Sequence, residues 1–380
     1  MLKGTSKLIK KINIYNVINI LKSEPGLSRA EIADVTKLTR ASITKITKEL
    51  IDNGMLIEEG NNENTGGRPS IMLYINKDAG YFVGLYLAPK KIISIFTNYI
   101  GEEVASLETE IFDFSKENIL KVVDNHIVEY KKINNNILGI GIALNGIVNS
   151  NKGISIFSPH YKWKNFDLKT YMKSTYNCPI VVENDVRLMA LGEREYGGAQ
   201  GESNFVLVNI GDGVGSGIII DKKIYSGNNY CAGEIGHTKV SKKSQIICSC
   251  GKKGCLETFL ARENMLRTGK EFYDLSVENI EELLKEFEAN NPKAVEFLEV
   301  LCEKLAFSLG SIVNLLNPHT ILINGEINIF GKKIYTLIEK NILENSLDVS
   351  LEKLKVKPTK LGDYSACKGA ISVLFENLYK

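Results

Sequence analysis

Glu234-Ile-Gly-His237 and, shortly after it, Cys248-Ser-Cys250-Gly-Lys-Lys-Gly-Cys255-Leu-Glu257 decide how this chain is read. One imidazole and three thiols make a Cys3His set, a common recipe for a closed, tetrahedral structural zinc site with His237, Cys248, Cys250 and Cys255 as ligands. Gly251 and Gly254 let the loop fold tightly around an ion. The carboxylates of Glu234 and Glu257 flank the ligands without being needed by the metal. That surplus suggests a metal that shapes a binding pocket. The alternative is a set of ordinary buried or solvent-facing cysteines. Three thiols in eight residues, with two glycines and a nearby histidine, argue for the metal.

Outward from this loop, from Tyr81 onward, apolar β-rich runs alternate with helical patterns. Strands are expected at Tyr81–Leu87, Ile92–Asn98, Ile137–Ala143, Ile180–Val182, Phe205–Ile210, Gly217–Ile220 and Thr320–Ile323. Helices are expected at 116–132, Asp185–Tyr196, 276–290, 292–316 and 331–345. This alternation predicts an α/β body with helices packed on sheets. The order of elements suits two similar lobes, although the residues show no clean repeat. Two glycine-rich turns, residues 139–146 and 209–217, free backbone N–H groups to face an anion or a sugar oxygen, though many such turns are plain hairpins. Glu183-Asn184-Asp185 follows a strand and starts a helix, where an acid either caps the helix or binds a ligand hydroxyl. Carboxylates and amides hold hydroxyl-rich ligands in bidentate fashion. A sugar pocket is therefore the natural common explanation for Asn184, Asp185, Glu234, His237 and Glu257, with Gly146 joining them from the first turn.

The N-terminal residues read differently. Residues 1–50 hold ten Lys/Arg (Lys3, Lys7, Lys10, Lys11, Lys22, Arg29, Lys37, Arg40, Lys45, Lys48) and four acids (Glu24, Glu31, Asp34, Glu49). Residues 7–22 carry one apolar face, which Glu24-Pro25-Gly26 breaks. Ser28-Arg-Ala-Glu31 is a capping box opening a second helix. Thr36-Lys37-Leu38 turns into a third helix capped near Thr39, with Ile43, Ile46, Leu50 and Ile51 as its buried stripe and Gly54 at its end. This is the helix-turn-helix pattern. Two short apolar runs around a loop with Gly66-Gly67-Arg68-Pro69 then read as a β-hairpin, a wing. The third helix is expected in the major groove of DNA. Candidate contacts are Ser28 and Arg29 at the start of the second helix, Arg40, Ser42, Thr44, Lys45 and Lys48 on the third, and Arg68 on the wing tip. A three-helix protein-interaction module is the alternative. The basic bias, the caps and the wing together favour DNA. The chain divides into a winged helix at 1–78 and an α/β body at 79–380.

The 380 residues, 44% hydrophobic and with a net charge of only +2, exclude a general polyanion binder. Seven cysteines, an odd count with three clustered, fit a reducing compartment better than a disulfide framework. Lys and Asn interrupt any signal-peptide core near the N-terminus, and no run is long and apolar enough for a bilayer span. A cytoplasmic protein without a membrane partner is expected.

The metal-loop motif resembles that of the ROK family (repressors, open reading frames, kinases). Supporting similarities are Glu183-Asn-Asp185 with Ala190-Leu-Gly-Glu193, Ser158-Pro159 with Trp163, Asn317-Pro318 with Ile321-Leu-Ile-Asn-Gly325, and Leu361-Gly-Asp363 with Gly369-Ala370. The winged helix ending in Gly67-Arg68-Pro69 looks like the repressor branch. The resemblance implies an actin-like, two-lobed sugar-kinase fold. In family kinases the aspartate matching Asp185 activates the sugar hydroxyl. Residues matching Asn184, Glu234, His237 and Glu257 hold the sugar, and the histidine serves zinc through one ring nitrogen and sugar through the other.

Departures from that pattern matter more. Family kinases open the body with Asp-x-Gly-Gly-Thr, and the matching stretch here is Gly84-Leu-Tyr86-Leu-Ala88-Pro89-Lys90. Tyr86 replaces a magnesium-organising carboxylate, and Pro89 has no N–H for a phosphate. Asp212 stands where kinases often have threonine and would repel a phosphate. Asn145 and His160 replace a frequent proline and a sugar-binding asparagine. The expectation is a non-enzymatic, sugar-responsive repressor of carbohydrate-utilisation genes, a homodimer or tetramer on a palindromic operator. Its effector is expected to be a monosaccharide, xylose first, with glucose or N-acetylglucosamine open. The rival is an active ATP-dependent sugar kinase with an appended DNA-binding domain.

Overall fold

The computed structural model describes residues 6–60 and 71–379. Arg68 and the rest of the expected wing tip lie outside them. The N-terminal head contains α1 (Ser6–Ser23), β1 (Leu27–Ser28), α2 (Arg29–Thr36), α3 (Arg40–Asp52), β2 (Leu56–Gly60) and β3 (Ile71–Ile75). Ser28 and Glu31 form both bonds of the capping box that starts α2. The Thr39 side chain caps α3 by accepting from the Ser42 N–H. Ile43, Ile46 and Leu50 turn inward against Val17, Ile18 and Ile32, as a stripe at helical spacing requires. The strands pair in the order β1-β3-β2, so the wing is a hairpin with a short third strand.

Two lobes follow. The first contains β4 (Tyr81–Leu87), β5 (Lys91–Asn98), β6 (Glu103–Glu110), α4 (Lys116–Ile133), β7 (Ile137–Leu144), β8 (Ile147–Asn149), β9 (Ile154–Ser158), β10 (Trp163–Asp167), α5 (Leu168–Thr175), β11 (Ile180–Asn184) and α6 (Asp185–Tyr196). The second contains β12 (Phe205–Ile210), β13 (Val214–Ile220), β14 (Lys223–Ile224), α7 (Glu257–Leu260), α8 (Arg262–Tyr273), α9 (Ile280–Glu288), α10 (Pro292–Leu316), β15 (Thr320–Gly325), α11 (Gly331–Asn345), β16 (Lys355–Pro358) and α12 (Tyr364–Tyr379). The two main sheets run β6-β5-β4-β7-β11 and β14-β13-β12-β15-β16. Each is an antiparallel meander of three strands extended by two parallel strands from its first member. One topology thus occurs twice, although the residues do not repeat.

Some boundaries differ from the sequence reading. The expected helix at 276–290 begins only at Ile280, because Asn279 caps it through the Glu282 N–H. Of the two glycine-rich turns, Gly139 and Gly141 lie inside β7, and Gly215 and Gly217 inside β13. The true turns are shorter. Glycine serves in those strands to admit a helix: a Cβ on Gly217 would stand 2.5 Å from the Val186 carbonyl oxygen of α6.

The lobes exchange their last helices. α6 follows the first sheet and packs on β12 and β13 of the second; α12 follows the second sheet and packs on β4, β5 and β7 of the first. α6 and α12 pack against each other between the lobes. One buried apolar cluster runs from the head through this pair, joining Val17, Ile18 and Leu21 of α1 to Phe82, Leu188, Ile371 and Phe375. Among the described residues, no helix is long and apolar enough to cross a membrane.

Candidate sugar and metal site between the lobes

A cleft of about 1410 Å³ separates the lobes, and all six expected sugar residues, Gly146, Asn184, Asp185, Glu234, His237 and Glu257, line it. β11 ends in Asn184, which caps α6 by accepting from the Arg187 N–H at 3.0 Å. The amide of Asn184 donates to the Gly146 carbonyl at 2.9 Å and to Asp185 Oδ1 at 3.0 Å. Asp185 Oδ1 also accepts from the Val186 N–H at 2.9 Å. The Tyr86 hydroxyl donates to Asp185 Oδ2 at 3.4 Å. Burial pushes the Asp185 carboxyl up to about 6, while the hydrogen bonds from Val186 and Asn145 pull it down. This aspartate is held by neighbours on both oxygens, an arrangement suited to a positioned acceptor.

Glu183 and Arg187 were not among the sequence candidates. They form a fully buried ion pair at 2.9 Å beneath the cleft floor, and Arg187 also donates to the Tyr230 carbonyl. Burial raises the Glu183 carboxyl and Arg187 opposes that. Their spacing of four residues was a readable signal, but β11 ends between them, so helix periodicity did not reveal it.

On the opposite wall, Glu234 leads into a short 3-10 turn, Ile235–His237, and Glu257 opens α7. His237 Nε2 lies 4.0 Å from Glu234 Oε2, on the cleft side. Its Nδ1 lies 3.5 Å from Cys248 Sγ, and Cys250 Sγ lies 3.7 Å from Cys255 Sγ. The four ligand atoms all fall within 4.8 Å of one another. Tetrahedral zinc with ordinary bond lengths separates two sulfurs by about 3.8 Å, and a sulfur from an imidazole nitrogen by about 3.6 Å. The donor chemistry and these spacings fit a zinc ion. Gly251 and Gly254 both adopt positive φ, at 78° and 73°, as the tight loop requires. Ser249 Oγ donates to Glu257 Oε1 at 2.7 Å, tying the metal loop to a cleft carboxylate.

The cleft wall around Asp212 carries ion-paired charges. Asp212 pairs with Lys90 at 3.4 Å and with Arg262 at 3.4 Å, and Arg262 is clamped again by Glu326. Lys91 pairs with Glu108 at 3.0 Å and Asp363 at 3.5 Å. Pro89 lies in the same wall. Lys90, Lys91 and Arg262, three of the five lysines and arginines that line the cleft, thus face carboxylates.

In the head, Arg40, Lys45 and Lys48 project from α3 into solvent. Other expected DNA residues are engaged within the fold. Arg29 donates to Thr47 Oγ1 at 3.0 Å and pairs with Glu58 at 2.5 Å, bracing α2 to α3 and the wing. The Ser28 side chain belongs to the capping box, and the hydroxyls of Ser42 and Thr44 bond Thr39 Oγ1 and the Arg40 carbonyl.

Residues 95–377 match the model of the ROK family, and residues 11–57 that of a winged helix-turn-helix DNA-binding module. The chain is 29% identical to the xylose repressor of Caldicellulosiruptor bescii over 99% of its own length and 98% of that protein's. It is 28% identical to the DNA-binding transcriptional dual regulator NagC of Escherichia coli over 98% of itself and 94% of NagC. Among solved structures, a ROK family transcriptional regulator described as a homolog of the E. coli MLC protein superposes with a TM-score of 0.87 at 29% identity, covering 98% of this chain and 97% of the other. With its body matched over most of its length and a winged helix ahead of it, the chain belongs to the ROK family.

Proposed function

We propose that this protein is a transcriptional repressor of carbohydrate-utilisation genes whose grip on DNA is set by a monosaccharide bound between the lobes. One observation carries the reading. Asn184, Asp185, Glu234, His237 and Glu257 line one cleft together with Tyr86, Pro89 and ion-paired Asp212; the first five suit a sugar, and the last three suit a nucleotide poorly. A chain with that cleft and a winged helix has the parts of a sensor and lacks those of a phosphotransferase. The printed names of the relatives support the same reading. Xylose is the first effector to test, followed by glucose and N-acetylglucosamine.

In this reading residues 1–78 are the DNA head and 79–380 the sensing body. Zinc held by His237, Cys248, Cys250 and Cys255 orients the His237 ring so that Nε2 faces the sugar. Arg40, Lys45 and Lys48 meet the major groove, with Ser42, Thr44 and the wing-tip Arg68 beside them. Two copies present two heads to a palindromic operator, and the protein works in the cytoplasm. A thermal-shift screen over monosaccharides tests the sensor, since a ligand bound only by the folded state raises its melting temperature. A coupled assay with ATP and the same sugars tests the rival kinase. Turnover on the order of 1–100 per second would refute the repressor-only reading.

A further inference from the structure

α6 begins at the cleft with Asn184 as its cap and Asp185 as its first residue, and it ends at Tyr196, twelve residues on. That length is about 18 Å. Its far end meets the DNA head. Lys22, in the last turn of α1, places its ammonium 3.5 Å from the Tyr196 hydroxyl and 4.6 Å above the Phe375 ring of α12. Lys22 therefore touches both of the helices that the lobes exchange. Tyr15 of α1 packs on Phe375 and Tyr379 beside it, with ring centroids 6.4 and 6.3 Å apart.

The two helices cross with almost no side chain between them. A Cβ on Gly192 would stand 2.0 Å from the Ser365 carbonyl oxygen, and one on Gly369 would stand 1.9 Å from that of Leu188. Backbone packed on backbone cannot be compressed. α6 lies on the second lobe's sheet and α12 on the first lobe's, so a change in lobe closure turns one helix against the other at this crossing. The turn shows at the ends beyond it, where Tyr196 and Phe375 hold Lys22.

Resting on the sugar-cleft reading, we infer that Lys22, Tyr196 and Phe375 are the positioning residues through which lobe closure sets the DNA head. The ammonium bridges the two rings only at one relative placement of α6 and α12. Another placement breaks one of the two contacts and frees α1 to reorient. Lys22, Tyr196 and Phe375 stand outside the lining of the cleft, so the contact transmits closure without holding the sugar.

The test is fluorescence anisotropy of the full-length protein on a duplex taken from upstream of its own coding sequence, with and without D-xylose, D-glucose or N-acetyl-D-glucosamine. Sugar is expected to change the wild-type DNA affinity by a factor within the range of about 5–150 usual for coupled sites, in either direction. Lys22→Met and Tyr196→Leu are expected to cut that factor below about 2, leaving the sugar-induced rise in melting temperature intact. Lys22→Arg, which keeps a cation over the rings, restores most of the factor. Tyr196→Phe, the mildest change, keeps the test available if the leucine variant unfolds, and is expected to lower the factor. Wild-type coupling retained in folded Lys22→Met and in the folded Tyr196 variant overturns the inference alone. A wild-type protein that binds DNA unmoved by any of the three sugars overturns the function and the inference together.

Discussion

Asp185 shows what burying a cleft carboxylate does to its titration. Its carboxyl rises from 3.8 to about 6 because it is buried. Between those values the folded protein holds a proton that the unfolded chain has released. Stability therefore falls as pH rises through that window and is flat above it. The cost near neutral pH is about 3 kcal/mol by linkage. Asp185→Asn keeps an acceptor for the Val186 N–H and removes the charge. It is expected to match the wild type in urea unfolding near pH 4 and to exceed it by up to about 3 kcal/mol at pH 7.5. Its sugar-induced melting shift should shrink at the same time. A variant no more stable than wild type at pH 7.5 would show that the burial penalty is met elsewhere. Arg187 carries the opposite sign. Arg187→Met leaves Glu183 buried without its partner, a loss of about 3–5 kcal/mol, read as a lower urea midpoint.

At the scale of elements, the metal loop and α3 make separate predictions. If the proposed site is right, Cys255→Ser or His237→Ala should lose zinc in metal analysis of the purified protein, and His237→Ala should also lose the sugar response, because in that proposal one ring serves both sites. On α3, Arg40→Ala should weaken specific binding by about 1–3 kcal/mol, and Lys48→Ala should reduce the salt slope of DNA binding by about 1. Arg29→Ala should act differently, lowering head stability through the lost Thr47 and Glu58 contacts while leaving the salt slope unchanged. In a sequence, charge near a helix start looks the same whether its partner is a phosphate or a carboxylate; in the folded head one partner of Arg29 is the carboxylate of Glu58. Elements with one clear period were legible: α6, α10 and α11 begin and end where expected, and so do β4 and β12. α12 was not. It is buried at Ser365, Ala366, Cys367, Gly369, Ala370, Ile371, Leu374, Phe375 and Tyr379, with no polar stripe to mark a helical face. β6 was hidden by the opposite fault, since Glu103, Glu108 and Glu110 make it read as surface loop. The grouping of His237 with the three cysteines and the carboxylates of the cleft was legible because the spacing is local. The ion pairs of Asp212 were not, because Lys90 and Arg262 come from distant elements.

The body of the molecule is two copies of one topology facing a cleft, and Lys90 is one place where charge passes from one lobe to the other. Lys90 follows β4 in the first lobe, while Asp212 and Glu263, at 3.4 and 3.8 Å, belong to the second. A nucleotide bound in such a cleft would touch both lobes; here a lysine does so. Lys90 is 54% exposed and Asp212 only 13%, so the pair is partly shielded, but an exposed cation limits its worth to about 0–1 kcal/mol. Lys90→Ala should therefore cost less than about fivefold in sugar affinity by calorimetry. Reversing the charge replaces attraction with repulsion. Lys90→Glu should open the lobes, seen as a larger radius of gyration in solution scattering, and should weaken sugar binding more than the alanine variant does. Adding Asp212→Lys to Lys90→Glu restores an opposite-charge pair across the cleft, although Arg262 then faces a like charge. Partial recovery of compactness and affinity in the double variant is the expected result. If Lys90→Glu leaves both the radius and the sugar affinity unchanged, the lobes are held by the α6–α12 crossing alone, and the ion pairs serve only to keep phosphate out.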